Sequence, residues 1–329
     1  MITRRGLLTV LGAEAIAAPL AVLAQAQGKT PRIGFFYLGS RQSALETGRY
    51  GAFVQGMRDL GYIEGKNLTI ESRYADGNPD RLPALAAELM KANVDVIVAT
   101  GSPTYRALQQ ATAIPVVITV GSDPVREGWA ASMARPAGHF TGLTSTAADP
   151  GPKLLELLMA VIPKLSRIAV MVHPGNAGHP PQLKNIMSAA QKSDIQVMLA
   201  EADTAQGIGR EFAMLAKQRV GGVILLNDTF FVQQLREFAA QSLQHRIPSI
   251  SSLIEYAELG GVMSYGPDLV DNFRRAAAYV DKILKGTKPG ELPIEQPARY
   301  RLTVNRKTAR ALGLTFPQTI MVSADKVIE

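Results

Sequence analysis

From residue 32 onward the chain alternates short β-branched runs with stretches of helical spacing, and it does so twice. The runs at 32–37 (RIGFFY), 68–74, 94–99 and 115–120 are followed by runs at 167–172 (RIAVMV), 196–199, 222–226, 247–250 and 261–264. Several are continuously apolar over four or more residues, as expected of parallel strands covered on both faces. Between them, Leu82, Leu85, Ala86 and Leu89 fall at i, i+3, i+4 and i+7, and Phe212, Leu215 and Ala216 begin the same pattern. Asn78-Pro79-Asp80 offers a cap and an early proline for the first of these helices. Strand–helix alternation of this kind folds as a parallel sheet with helices on both faces. The rhythm restarts near Arg167 after a connection at 147–152 (AADPGP), so the expectation is α/β, with two doubly wound parallel-sheet lobes. A long helix is predicted over 268–285. A tail richer in proline and charge follows, whose short strand and small helix near 305–312 are expected to decorate one lobe.

The first 26 residues read as a signal peptide. Arg4 and Arg5 give a positive start, a mildly apolar run follows from Leu7 to Leu23, and Ala24-Gln25-Ala26 is a small-x-small cleavage site. Thr3-Arg4-Arg5-Gly6-Leu7 fits a twin-arginine leader as well as a general secretory one. Glu14 and Pro19 interrupt the run, so it is not read as a membrane span. The chain has no cysteine, which excludes disulfides, thiol catalysis, zinc–cysteine sites and a lipidated cysteine at the cleavage point. The expected location is therefore periplasmic, free after signal-peptide removal. Cleavage takes away two arginines and one glutamate, lowering the formal charge from +7 to +6. The basic residues are scattered and not interleaved with aromatics, so no nucleic-acid partner is expected.

In open parallel sheets, ligands bind beyond the carboxyl ends of the strands. The residues following the apolar runs are small or polar: Gly39 and Ser40, Thr100, Gly101 and Ser102, Asp123, Asn176, Asp228, Ser251, and Tyr265. Two sheets with these ends facing one another would make a cleft of neutral donors, helix N-termini and a few carboxylates. Thr100-Gly101-Ser102-Pro103 reads as an anion cradle or as an ordinary strand-to-helix loop with a serine cap. Asp123 and Asp228 are candidates to pair a ligand ammonium or to cap turns. Glu255 follows a strand and is expected either in the cleft or on a solvated helix face. Trp129 is expected to pack a helix face.

Enzyme signatures are largely missing. Gly101-Ser-Pro-Thr is not a nucleophile elbow, no dinucleotide or phosphate-binding glycine motif follows the first strand, and Gly207-Ile-Gly209 reads as a helix start. His173 and His179 are separated by prolines and a glycine and lack the helical spacing of a zinc hydrolase. No catalytic residue, metal or cofactor is expected.

A set of ordered motifs running nearly the full length carries a resemblance. They include 32–35 (RIGF), 56–67 (GMRDLGYIEGKN), 79–89 (PDRLPALAAEL), 95–99 (DVIVA), 123–125 (DPV), 134–136 (ARP), 141–143 (TGL) and 153–158 (KLLELL). Further on come 261–266 (GVMSYG), 279–286 (YVDKILKG), 292–297 (LPIEQP) and 307–314 (KTARALGL). In these the chain resembles the substrate-binding proteins of ABC transporters, in the group that includes tryptophan/tyrosine-type binders. The resemblance implies a type I periplasmic-binding-protein-like fold with lobes joined by a hinge. It divides the chain into residues 31–143 plus 266–290 for the first lobe and 144–265 plus 291–329 for the second. It also implies capture of a small polar ligand, an aromatic amino acid being favoured, by a monomer that delivers it to an ABC permease in the inner membrane. Arg126 and Glu127 stand where smaller residues are usual, and His173-Pro174 replaces the more common Asn-Pro, so the ligand's identity does not transfer. A ligand-sensing domain for a membrane receptor is the alternative, with a hydrolase on the same architecture behind it.

Overall fold

The computed structural model describes residues 29–121, 123–145, 149–176, 178–297 and 300–329. The signal peptide read at 1–26 lies outside the described residues. The first sheet is built from β1 (Arg32–Tyr37), β2 (Thr69–Tyr74), β3 (Val96–Thr100), β4 (Val116–Ile118) and β5 (Phe140–Gly142). Its strands are all parallel, in the order β2-β1-β3-β4-β5. The second sheet holds β6 (Arg167–Val172), β7 (Gln196–Glu201), β8 (Gly222–Leu225), β9 (Ser249–Ser251), β10 (Met263–Pro267), β11 (Tyr300–Asn305) and β12 (Lys326–Ile328). Its order is β12-β11-β10-β9-β8-β6-β7, parallel except where β11 runs against β10. The doubled rhythm of the sequence thus becomes a doubled topology, for β7-β6-β8-β9-β10 repeats the order of the first sheet.

The helices follow the strands: α1 (Arg41–Glu46), α2 (Arg49–Asp59), α3 (Leu82–Lys91), α4 (Ser102–Ala111), α5 (Gly151–Val161), α6 (His179–Gln191) and α7 (Ala205–Lys217). Then come α8 (Thr229–Gln233), α9 (Leu235–Gln244), α10 (Glu255–Glu258), α11 (Leu269–Leu284), α12 (Arg306–Ala311) and α13 (Gln318–Ser323). Alternate strand residues feed opposite faces, and each face is closed by helices. Phe35, Tyr37, Val96 and Val98 meet Phe53 and Met57 of α2 and Phe273, Ala277 and Val280 of α11. Phe36, Ile97, Ala99 and Ile118 meet Leu82, Leu85, Ala86 and Leu89 of α3 and Tyr105 and Leu108 of α4. The helical stripe read from the sequence at 82–89 is this buried face. Trp129 packs edge-on against the Tyr105 ring at 4.9 Å, on α4 as expected.

The second sheet is covered by α5 and α6 on one face and by α7, α8 and α9 on the other. The tail departs from the sequence reading. Leu302, Val304, Ala309, Phe316 and Ile320 are buried with Leu154, Ile168 and Met263, so the segment from β11 onward completes a core rather than decorating it. Its polar and charged residues disguised that role, because only one face of each short element is apolar.

Among the described residues, the elements alternate between the sheets at three points. The chain leaves β5 for α5, leaves β10 for α11, and leaves residues 289–296 for β11. After α11, the carbonyl of Leu292 accepts from Thr141 Oγ1 at 2.8 Å and the Glu295 amide donates to the Gly142 carbonyl at 2.9 Å, which lays this stretch along β5. Tyr279 fastens it further by donating to the Pro293 carbonyl at 2.9 Å.

Candidate functional site

The carboxyl ends of both sheets point toward one another, and three contacts show how close they come. An ideal Cβ on Gly101 would stand 3.6 Å from Thr229 Oγ1 on α8. One on Gly77 would stand 2.7 Å from the Gln233 side-chain nitrogen at the other end of α8. Arg49, at the start of α2, reaches Glu255 on α10 with Nη2 3.2 Å from Oε1. The region these contacts enclose is the candidate ligand cleft.

On the first sheet's side, Gly101 has φ +92°, a backbone conformation that suits glycine, and occupies the cap position of α4. Ser102 is therefore the first helical residue rather than the cap. Thr100 and Thr119 hydroxyls lie 2.6 Å apart, and Thr119 donates to the Ala99 carbonyl at 3.0 Å, so Thr100 spends its proton on Thr119. Thr100 supports the loop from beneath. Ser40 Oγ accepts from the Ser43 amide at 3.1 Å and caps α1, beside the buried Gly39.

The second sheet's side is organised by Asp228, which is buried. Its Oδ1 accepts from the Phe230 and Phe231 amides at 2.7 and 3.3 Å, capping α8. Its Oδ2 accepts from Asn176 Nδ2 at 2.8 Å and lies 3.4 Å from His173 Nδ1. Asn176 in turn accepts the Gly178 amide at 2.9 Å. His179 pins the loop from below: its Nδ1 accepts from the His173 amide at 3.0 Å, and its Nε2 donates to the Asn227 carbonyl at 3.1 Å. Burial holds its pKa below the ordinary histidine value, and that arrangement requires the neutral ring. The Phe230 and His173 rings sit 5.6 Å apart and give this side a partly exposed aromatic surface.

The structure brings Gly39, Ser40, Thr100, Gly101, Ser102, Asn176, Asp228 and Glu255 to the strand ends that meet. It leaves three expected residues elsewhere. Asp123 is exposed and binds the Val125 and Arg126 amides, which is the turn-capping alternative. Ser251 is internal, donating to the Leu225 carbonyl and accepting the Leu253 amide. Tyr265 is partly buried against the core beside α5, its ring 5.5 Å from Tyr300, because successive strand residues face opposite ways. Glu255 is buried rather than on a solvated helix face.

Strand ends alone do not point to Arg49, Gly77, Thr229 or Gln233. Arg49 sits one short helix beyond β1, in the otherwise small and aromatic stretch Arg49-Tyr-Gly-Ala-Phe53, and that isolated charge was the available signal. Arg49 Nε, Ser252 Oγ and Glu255 Oε2 are buried without a hydrogen-bond partner.

The family model described as ABC transporter substrate binding protein matches residues 42–328. A tyrosine-binding protein of Clostridioides difficile (strain R20291) is 23% identical over 287 residues, covering 87% of this chain and 82% of that protein. The crystal structure of a conserved domain protein from Vibrio cholerae is 26% identical with a TM-score of 0.82, covering 91% of this chain and 100% of that one. The ABC domain in complex with L-Trp from Streptococcus pneumonia is 20% identical with a TM-score of 0.81, with the same coverage of both chains.

Proposed function

This chain belongs to the ABC transporter substrate-binding protein family, and from that premise we propose that it is an exported capture protein that takes up a small polar ligand between its lobes and delivers it to an ABC permease. The observation that carries the proposal is the meeting of two polar strand-end surfaces, with Gly101 over Thr229 and Asp228 at the centre of a hydrogen-bonded loop. Gly39, Ser40, Gly101 and Ser102 hold one end of the ligand, with Thr100 bracing their loop from beneath, and Asn176, Asp228 and Glu255 close from the other side. Asp123, Ser251 and Tyr265 form no part of this proposed contact set. The mechanism is capture by hinge closure, without a chemical step.

An amino acid is the favoured ligand class, and within it an aromatic one. The names of the tyrosine-binding relative and of the L-Trp complex support this, as does the Phe230–His173 surface, which offers a ring something to stack on. Export supplies the compartment in which such a protein meets its ligand. Among the described residues no helix is long and apolar enough to cross a membrane.

The test is native mass spectrometry of freshly purified protein, followed by thermal shift against L-tyrosine, L-tryptophan, the remaining amino acids, organic acids and purines. A retained small molecule, and a raised midpoint with one of these compounds, is the expected result. D228A is expected to abolish the shift. A chain that carries no ligand and answers to none of the compounds sinks the proposal. Uptake lost on deletion of the gene separates delivery to a permease from sensing.

A further inference from the structure

We infer that Arg49 and Glu255 form a latch across the cleft that sets how much of the time the two lobes stay shut. The inference rests on the reading of the chain as a capture protein that opens and closes. Arg49 belongs to a helix on the first sheet and Glu255 to a helix on the second, 206 positions apart in sequence. Their side chains are 3% and 8% exposed, so both charges are stripped of water in the shut form. Arg49 also donates through Nη1 to the buried Tyr37 hydroxyl at 3.2 Å, which aims the guanidinium from the side of β1.

Removing two charges from water is offset by their attraction only where the geometry is excellent and the remaining polar atoms are satisfied. Here a single 3.2 Å contact links the pair, while Arg49 Nε and Glu255 Oε2 are left over. Such a pair holds the lobes together without locking them, because opening returns water to both groups. Removing one partner acts differently: it leaves the other dehydrated and alone whenever the cleft is shut. Of the neighbouring charges, Glu258 pairs with Lys326, Asp268 with Arg301 and Arg274 with Asp59, while Glu46 and Asp271 line the same cavity as Glu255.

The native chain contains no cysteine, so D80C/R236C would carry two spin labels and nothing else. Both positions are exposed and lie three residues beyond Gly77 and Gln233, which touch across the cleft mouth. Double electron–electron resonance without ligand is expected to show a short-distance population in the otherwise native protein. E255Q and R49M are each expected to lower the ratio of short to long distances by about tenfold or more, since each buries a lone charge or orphans its partner. R49M/E255M should recover much of the loss, having no charge to strand. Circular dichroism and melting midpoints establish that each variant is folded, and the near-isosteric E255Q serves if R49M is not. An unchanged distribution in E255Q overturns the latch, as does a double variant no more closed than either single one, or a native protein with no short-distance population. Addition of L-tyrosine and L-tryptophan tests capture separately: if neither changes the distances or the melting midpoint of the native protein, amino-acid capture fails while the ligand-free comparison still decides the latch.

Discussion

The ring of His179 holds one backbone donor and one backbone acceptor at once, and it does so only while uncharged. Its pKa is lowered by burial, so the unfolded chain takes up the proton before the folded one does. Stability from this residue is complete above the unfolded value of about 6.5 and declines as pH falls below it. H179Q keeps a donor for the Asn227 carbonyl and removes the titration. Its urea midpoint is expected to fall less than that of the native protein between about pH 7.5 and about pH 5, with part of the slope left to His139, whose pKa burial also lowers. A native chain and H179Q with parallel pH profiles would contradict this. At this scale the sequence was half legible. Asp228, Asn176 and Gly101 were findable because they end strands. Arg49 owes its role to Glu255, brought in from the other sheet, which no local pattern reveals.

Elements were easier to read than residues, because burial on two faces leaves an unbroken apolar run and burial on one leaves a stripe. β5 and β12 escaped that logic. Each is three residues long, too short to show a period, and each is held in place by a neighbouring strand rather than by its own propensity. The close approach of two helices is also silent in composition. α2 crosses α11 at Gly56, where an added Cβ would stand 2.4 Å from the Arg274 carbonyl oxygen and 2.9 Å from Ala277 Cβ. A backbone atom cannot step aside as a flexible side chain can, so G56A forces the two helices apart. The expected loss is about 1–3 kcal/mol in denaturant unfolding, of the order seen for overpacked cores. A G56A midpoint equal to the native one would mean that this crossing tolerates separation.

At the scale of the whole molecule, two parallel-sheet lobes were anticipated and found, while their shared strand order and the weight carried by the tail were not. Ending the chain at Pro297 would remove Leu302, Val304, Phe316 and Ile320 from the second core. Each fully buried side chain of this size contributes roughly 1.5–3 kcal/mol, and four together rival the ~5–15 kcal/mol that a typical domain has in hand. The truncated chain is expected to be insoluble or to bind the dye ANS strongly. A soluble, cooperatively melting product would show that the tail is dispensable. The pairing of α2 with α11 has a consequence in time. Arg274 bonds Asp59 from 215 positions away, so the face of the first sheet that α2 and α11 share stays half covered until that much more chain has been made. At ~5–20 residues per second, that interval is on the order of ten to forty seconds. During it part of the first sheet's apolar face lies open, and that face is closed only once α11 has emerged and folded back on α2.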